Sequence, residues 1–119
     1  MADQQKIEVT GKGPAFIREA LALFKQIDGQ CAALSPDAAV KIKSTLSTKA
    51  HEIEPLLSRA YMKTVKAGET ALGCKQLASD LKSCVDSGDE ANALEHLDKL
   101  GKELDGLAHK VKTFVVRMT

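Results

Sequence analysis

The apolar residues between Asp89 and Met118 follow an unbroken heptad pattern. Their spacing alternates between four and three residues, which places them along one side of a helix. The pattern predicts a long C-terminal helix whose apolar stripe the rest of the chain must cover. The residues of the stripe are Ala93, Leu97, Leu100, Leu104, Leu107, Val111, Phe114 and Met118.

Helix-ending and helix-starting residues divide the rest of the chain. Pro14 suits the first turn of a helix, Ser35-Pro36-Asp37 ends one helix and starts the next, and Ser87-Gly88-Asp89 does the same before the last helix. The sequence therefore predicts an all-α fold, an antiparallel up-and-down bundle of four or five helices. We expect residues 1–13 to form a flexible N-terminal arm and residues 14–119 a single bundle domain.

The stretch around Pro55 and Gly68 leaves two interpretations open. Apolar and small residues keep the three-four spacing from Leu57 to Val85, which favours one long helix from about Pro55 to Asp86. The alternative is a second helix that kinks at Pro55 and runs to Lys66, followed by a short helix from Glu69.

Lys49 occupies a position of the second helix where its apolar stripe predicts an apolar residue. A polar gap of this kind is expected if a second copy of the chain completes the bundle, so a homodimer is one hypothesis for its assembly.

No motif in the sequence predicts catalysis, a metal site or a cofactor. The three histidines lack metal-ligand spacing, and the three cysteines form neither a CxxC pair nor a spacing that closes a disulfide along one helix. Asp105 and His109 are four residues apart and are predicted to form a surface pair. We expect no enzymatic activity, no metal and no cofactor.

Charge and hydropathy limit the partners and the location. The formal net charge is +1, and aromatic residues make up 3% of the chain, which argues against nucleic acid as a partner. No apolar run is long enough to span a bilayer, so stable membrane insertion is not expected. Unpaired cysteines and the lack of a signal peptide predict a cytoplasmic protein.

Basic residues are concentrated between positions 41 and 66, and three of them have the spacing of one helical face. A solvated surface explains such a pattern, and so does a docking patch for an acidic partner, an anionic membrane surface or RNA. The leading hypothesis is a non-catalytic protein–protein interaction module of the adaptor, regulatory or assembly type. The alternative is a carrier that holds an apolar small molecule or lipid in the bundle core. The candidate partner-binding residues are Lys41, Lys43, Arg59, Lys63 and Lys66.

Overall fold

The computed structural model describes residues 11–114, and they form an all-α bundle of four α-helices, which confirms the predicted fold class. Most of the predicted N-terminal arm, residues 1–10, and the last residue of the predicted heptad stripe, Met118, lie outside the described residues. Helix α1 begins one residue before Pro14. The helices are α1 (Gly13–Asp28), α2 (Pro36–Ile53), α3 (Val65–Ser87) and α4 (Glu90–Thr113).

Side-chain caps fix where three of these helices begin. The Oγ of Ser35 accepts the backbone N–H of Ala38 at 3.3 Å, and Asp89 caps α4 through the N–H of Asn92 at 3.4 Å, as the sequence predicts. Between α3 and α4, Gly88 has a φ of +74°, a left-handed conformation that glycine adopts without strain. The tight connection between α3 and α4 therefore follows from local residue chemistry. The start of α2 at Pro36 is also as predicted, but α1 ends at Asp28 rather than next to Ser35, and a short helical turn at Cys31–Ala33 lies between them.

The connection between α2 and α3 contradicts both interpretations of the Pro55 region. Helix α2 ends at Ile53, two short 3₁₀ turns follow at Glu54–Leu56 and Ala60–Lys63, and α3 begins at Val65. Pro55 lacks the N–H that the next helical hydrogen bond would need, and Thr64 caps α3 by accepting the N–H of Ala67 at 3.2 Å. The apolar spacing continues through the break because this connection closes one end of the core. Its buried residues are Leu56, Leu57, Tyr61 and Met62.

Successive helices of the chain run in opposite directions. In space, however, α1 packs beside α3 and α2 packs beside α4, so each of these two pairs is parallel. Helix α3 packs extensively against both α1 and α4, α2 packs against α4, and α1 and α2 make the smallest contact between neighbours. The first residues of α1 and α3 lie at the same end of the bundle, where Gly13 is next to Ala67. Further along, Glu19 of α1 pairs with Lys75 of α3, so these two helices are parallel. The connection from α2 to α3 therefore crosses the end of the bundle.

Small residues let α3 take this central position. Ala67, Ala71, Cys74 and Ala78 are fully buried along α3, where they allow α1 and α4 to approach closely. The helix that the carrier hypothesis relies on for empty space thus has its small side chains inside a packed interface.

The apolar stripe of α4 is buried from Ala93 to Val111. It stops there, because Phe114 follows the end of the helix and is 43% exposed. Lys49, the polar residue in the apolar stripe of α2, finds a partner within the same chain. Its side chain is 19% exposed, and its Nζ pairs with Asp105 of α4 at 2.5 Å. The observation that suggested a second copy therefore has an explanation inside the monomer. The predicted Asp105–His109 pair is replaced by this contact.

Candidate functional site

Six exposed cationic side chains gather at the end of the bundle where α1 and α3 begin and α4 finishes. We call this surface the basic end. The segments that form it are 11–14, 54–66 and 108–114, and Glu54 is the only carboxylate among them. The basic end consists of Lys12, Arg59, Lys63, Lys66, Lys110 and Lys112.

Backbone and aromatic contacts hold the three segments of the basic end together. The N–H of Gly11 donates to the carbonyl oxygen of Lys63 at 3.2 Å, which anchors the start of α1 on the second 3₁₀ turn. The ring of Phe114, just after α4, lies 5.2 Å from the ring of Tyr61. The cations therefore project from one framework in which the start of α1 and the residue after α4 both contact the second 3₁₀ turn.

The opposite end of the bundle is acidic. Segments 28–37 and 86–92 form it, and they contain five carboxylates and no Lys or Arg. Glu90 is held there by Ser35, whose backbone N–H and hydroxyl both donate to its Oε1, at 3.0 and 2.5 Å. These hydrogen bonds lower the pKa of the Glu90 carboxyl. The carboxylates of the acidic end are Asp28, Asp37, Asp86, Asp89 and Glu90.

Ion pairs neutralise much of the charge along the sides of the bundle. In residues 11–114, none of these pairs includes a cation of the basic end. The charge of the molecule is therefore separated along its axis, although the net charge is close to zero. The pairs are Lys49–Asp105, Lys75–Glu19, Lys82–Asp86, Lys99–Glu95 and Lys102–Asp98.

The structure divides the predicted basic patch. Arg59, Lys63 and Lys66 do not share a helical face. Arg59 is an extended residue before the second 3₁₀ turn, Lys63 ends that turn, and Lys66 lies in the first turn of α3 after the extended Thr64. All three nevertheless lie at the basic end. Lys41 lines the groove between α2 and α4, and Lys43 lines the groove between α1 and α2.

Sequence reasoning missed half of the basic end. Lys12 lies before the first helix and Lys110 and Lys112 in the last turn of α4, so these residues join Lys63 only through the tertiary fold. The signal available in the sequence was the C-terminal segment 108–119, which contains basic residues and no acidic ones.

A second surface feature is the open groove between α1 and α2, the neighbours with the least mutual contact. The groove encloses about 460 Å³, and a further cavity continues it toward Pro55 and Leu57. Its apolar lining comes from Leu21, Phe24, Leu46 and Ala50. Charged residues stand along both rims.

The charged residues on the rims of this groove do not pair with one another in residues 11–114. Asp28 and Lys43 line its upper part, whereas Arg18 and Glu54 line the part nearer the basic end. In the part of the chain that the structure describes, no ion pair joins the residues of either set. The separation of α1 and α2 thus leaves an apolar floor and uncompensated charges accessible from outside.

The thiols lie in surroundings that suppress reactivity. Burial raises the pKa of Cys74 to about 12, and the carboxylate of Glu103 acts in the same direction. The pKa values of Cys31 and Cys84 are also raised, mainly by burial. A thiol with a raised pKa contains little of the nucleophilic thiolate near neutral pH.

Cys84 and His96 bring a thiol near an imidazole ring. The Sγ of Cys84 lies 4.0 Å from Nδ1 of His96, and the same nitrogen is 2.8 Å from the carbonyl oxygen of Asn92. A carbonyl only accepts hydrogen bonds, so Nδ1 carries the proton and does not take one from Cys84. The pair therefore lacks the geometry of an activated nucleophile.

Residues 11–114 contain neither a metal-binding cluster nor a membrane-spanning helix. Within that range no three His, Cys, Asp or Glu side chains come together in a way that could hold a metal ion. None of the helices there is both long enough and apolar enough to cross a membrane.

No protein-family model matches this chain, and neither a curated protein nor a solved structure matches it. The basic end and the groove between α1 and α2 are therefore the candidate functional surfaces.

Proposed function

We propose that this protein is a non-catalytic interaction module that binds a helical segment of another protein in the groove between α1 and α2. The single observation that supports this proposal is the groove itself, in which an apolar floor is open between two adjacent antiparallel helices. An amphipathic helix docks in such a groove through apolar residues spaced three and four apart.

The dimensions of the groove suit a short helix. Its α1 wall extends from Arg18 to Asp28, about 15 Å at the rise of an α-helix. A partner helix of three turns would cover this length. The apolar residues of that helix would contact Leu21 and Ala50, which are only partly buried.

The rims carry three cations, Arg18, Lys25 and Lys43, and two carboxylates, Asp28 and Glu54, so cations predominate. Lys25 and Lys43 stand on opposite walls, and no described carboxylate pairs with either of them. Acidic residues flanking the apolar stripe of the partner would compensate both cations, and such complementarity raises specificity and the association rate.

We place this module in the cytoplasm as part of the same proposal. Its three cysteines are free, and free thiols are typical of a reducing compartment.

The alternative function is a carrier with an apolar molecule in the bundle core. It would need space beside α3, where the small side chains of Ala71 and Ala78 are fully buried between neighbouring helices. This packing favours the interaction module.

Site-specific photo-crosslinking tests the proposal. A photoreactive phenylalanine analogue replaces Ser47 on the α2 wall of the groove, and the matched control places it at Ser79, an exposed residue of α3 outside the groove. In cells of the source organism, we expect Ser47 to yield a discrete adduct with another protein and Ser79 to yield none.

Charge reversal at the rim is the specificity test. The substitutions Lys25→Glu and Lys43→Glu should reduce the Ser47 adduct several-fold, because rim charges steer the encounter. If the same adducts form at both positions, or if none forms at Ser47, the proposal is wrong.

A further inference from the structure

We propose that the basic end docks the protein on anionic phospholipid surfaces. This site is separate from the groove between α1 and α2, so either proposal can fail without the other. The cations of the basic end are exposed, an exposed aromatic residue lies among them, and the acidic end is at the far end of the bundle.

The cations of the basic end are available to a partner. All six are exposed, and none forms an ion pair within residues 11–114. By contrast, Lys75, Lys82, Lys99 and Lys102 on the sides of the bundle each have a carboxylate partner. Clusters of four to eight Lys or Arg residues are the size that recognises anionic membrane surfaces.

Phe114 gives the basic end an apolar element. It is 43% exposed, and Val40 is the one other large apolar residue with comparable exposure in residues 11–114. Its ring packs against Tyr61 on the second 3₁₀ turn.

A bilayer surface matches both features at once. Its headgroups present negative charge to the cations, and the layer beneath them accepts an aromatic side chain. A single-stranded nucleic acid would need aromatic platforms for several bases, whereas Tyr61 is buried and is covered in part by Phe114. An acidic protein surface would match the cations and leave Phe114 unexplained.

The axial separation of charge lets this docking occur without repulsion from the carboxylates. Helix α4, with 24 residues, separates the two ends by about 36 Å. This distance is several times the Debye length of about 8 Å at physiological ionic strength. The acidic end therefore lies outside the range of the membrane charge when the basic end is docked.

Co-sedimentation with vesicles tests the proposal on the full chain. We expect the protein to bind vesicles that contain phosphatidylserine, to bind vesicles of phosphatidylcholine alone much more weakly, and to dissociate as salt is raised. The triple variant Lys63→Gln, Lys66→Gln and Lys110→Gln should lose at least about tenfold of the partition coefficient, since each cation near the surface contributes roughly fivefold.

A matched control separates local from overall charge. The triple variant Lys82→Gln, Lys99→Gln and Lys102→Gln removes the same charge from the sides of the bundle and should bind like the wild type. Circular dichroism establishes that both triple variants are folded. Equal loss of binding in the two variants would overturn the proposal.

The substitution Phe114→Ala distinguishes a lipid surface from other anionic partners. We expect it to weaken binding to phosphatidylserine vesicles several-fold and to leave any binding to a single-stranded oligonucleotide or to a poly-glutamate peptide unchanged. Vesicle binding that is independent of Phe114, or binding to either polyanion that exceeds binding to vesicles, would contradict membrane docking.

Discussion

Gly13 lies at the point where the first helix meets the connection that closes the core. A Cβ atom added at this residue would collide with the carbonyl oxygen of Met62, a backbone atom that cannot move aside without displacing the 3₁₀ turn. At Gly73, on the exposed side of α3, an added Cβ would meet no atom within 4 Å. The two glycines therefore have opposite structural roles.

Alanine substitutions should reveal this difference in the free energy of unfolding. Gly13→Ala should destabilise the protein by about 1–3 kcal/mol, the usual cost of overpacking in a closed site. Gly73→Ala should stabilise it by up to about 1 kcal/mol, because alanine favours the interior of a helix. Urea denaturation measures both values. Equal effects of the two substitutions would show that α1 does not contact Met62 as described.

Residue chemistry also explains what the sequence could predict of the helix ends. Ser35 and Asp89 are predicted caps and act as caps, because a cap depends on a hydrogen bond to a residue three positions away. Thr64 is an equally local cap, but its position matched the apolar spacing, so the pattern concealed the start of α3. A threonine at a position of an apolar stripe can therefore either belong to one continuous helix or cap the start of a new one.

At the scale of elements, the contact between Ser35 and Glu90 joins the start of α2 to the first turn of α4. Hydrogen bonds from Ser35 lower the pKa of the Glu90 carboxyl in the folded protein. The ionised carboxylate thus stabilises the fold at pH values above about 4.3, the ordinary pKa of glutamate. This contribution is lost as the pH falls through the lower folded-state pKa.

The pH dependence of Glu90→Gln tests this contact. The variant should be less stable than the wild type at neutral pH, and the difference should shrink as the pH falls below about 4. Thermal unfolding at a series of pH values measures it. Glu95→Gln is the control, since Glu95 forms an exposed pair with Lys99 in the same helix. A difference that stays constant with pH would contradict the assignment.

Periodicity predicted the elements more reliably than their ends. The stripe of α4 is buried as predicted from Ala93 to Val111, because one long helix must cover its apolar side. The break between Ile53 and Val65 was missed, since buried residues of a core-closing connection can match helical spacing by chance. The three-dimensional partner of Lys49 was also beyond the sequence, because Asp105 lies in another helix.

At the scale of the whole molecule, topology determines the candidate sites. The basic end needs α1, α3 and α4 to bring their ends together, and no linear pattern connects Lys12 with Lys110. Arg59, Lys63 and Lys66 were predicted as candidates for a different geometric reason, a shared helical face. The groove depends on the limited contact between α1 and α2, a property of packing that the sequence does not encode locally.

The central claim is that this bundle acts through its surface and holds nothing in its core. Native mass spectrometry of the protein purified from its own source tests this claim most directly. We predict the mass of the bare chain, alone or in a complex with another polypeptide. A surplus of a few hundred daltons on the single chain, retained when Lys63, Lys66 and Lys110 of the basic end are replaced by Gln, would contradict the claim and identify the core as the site of function.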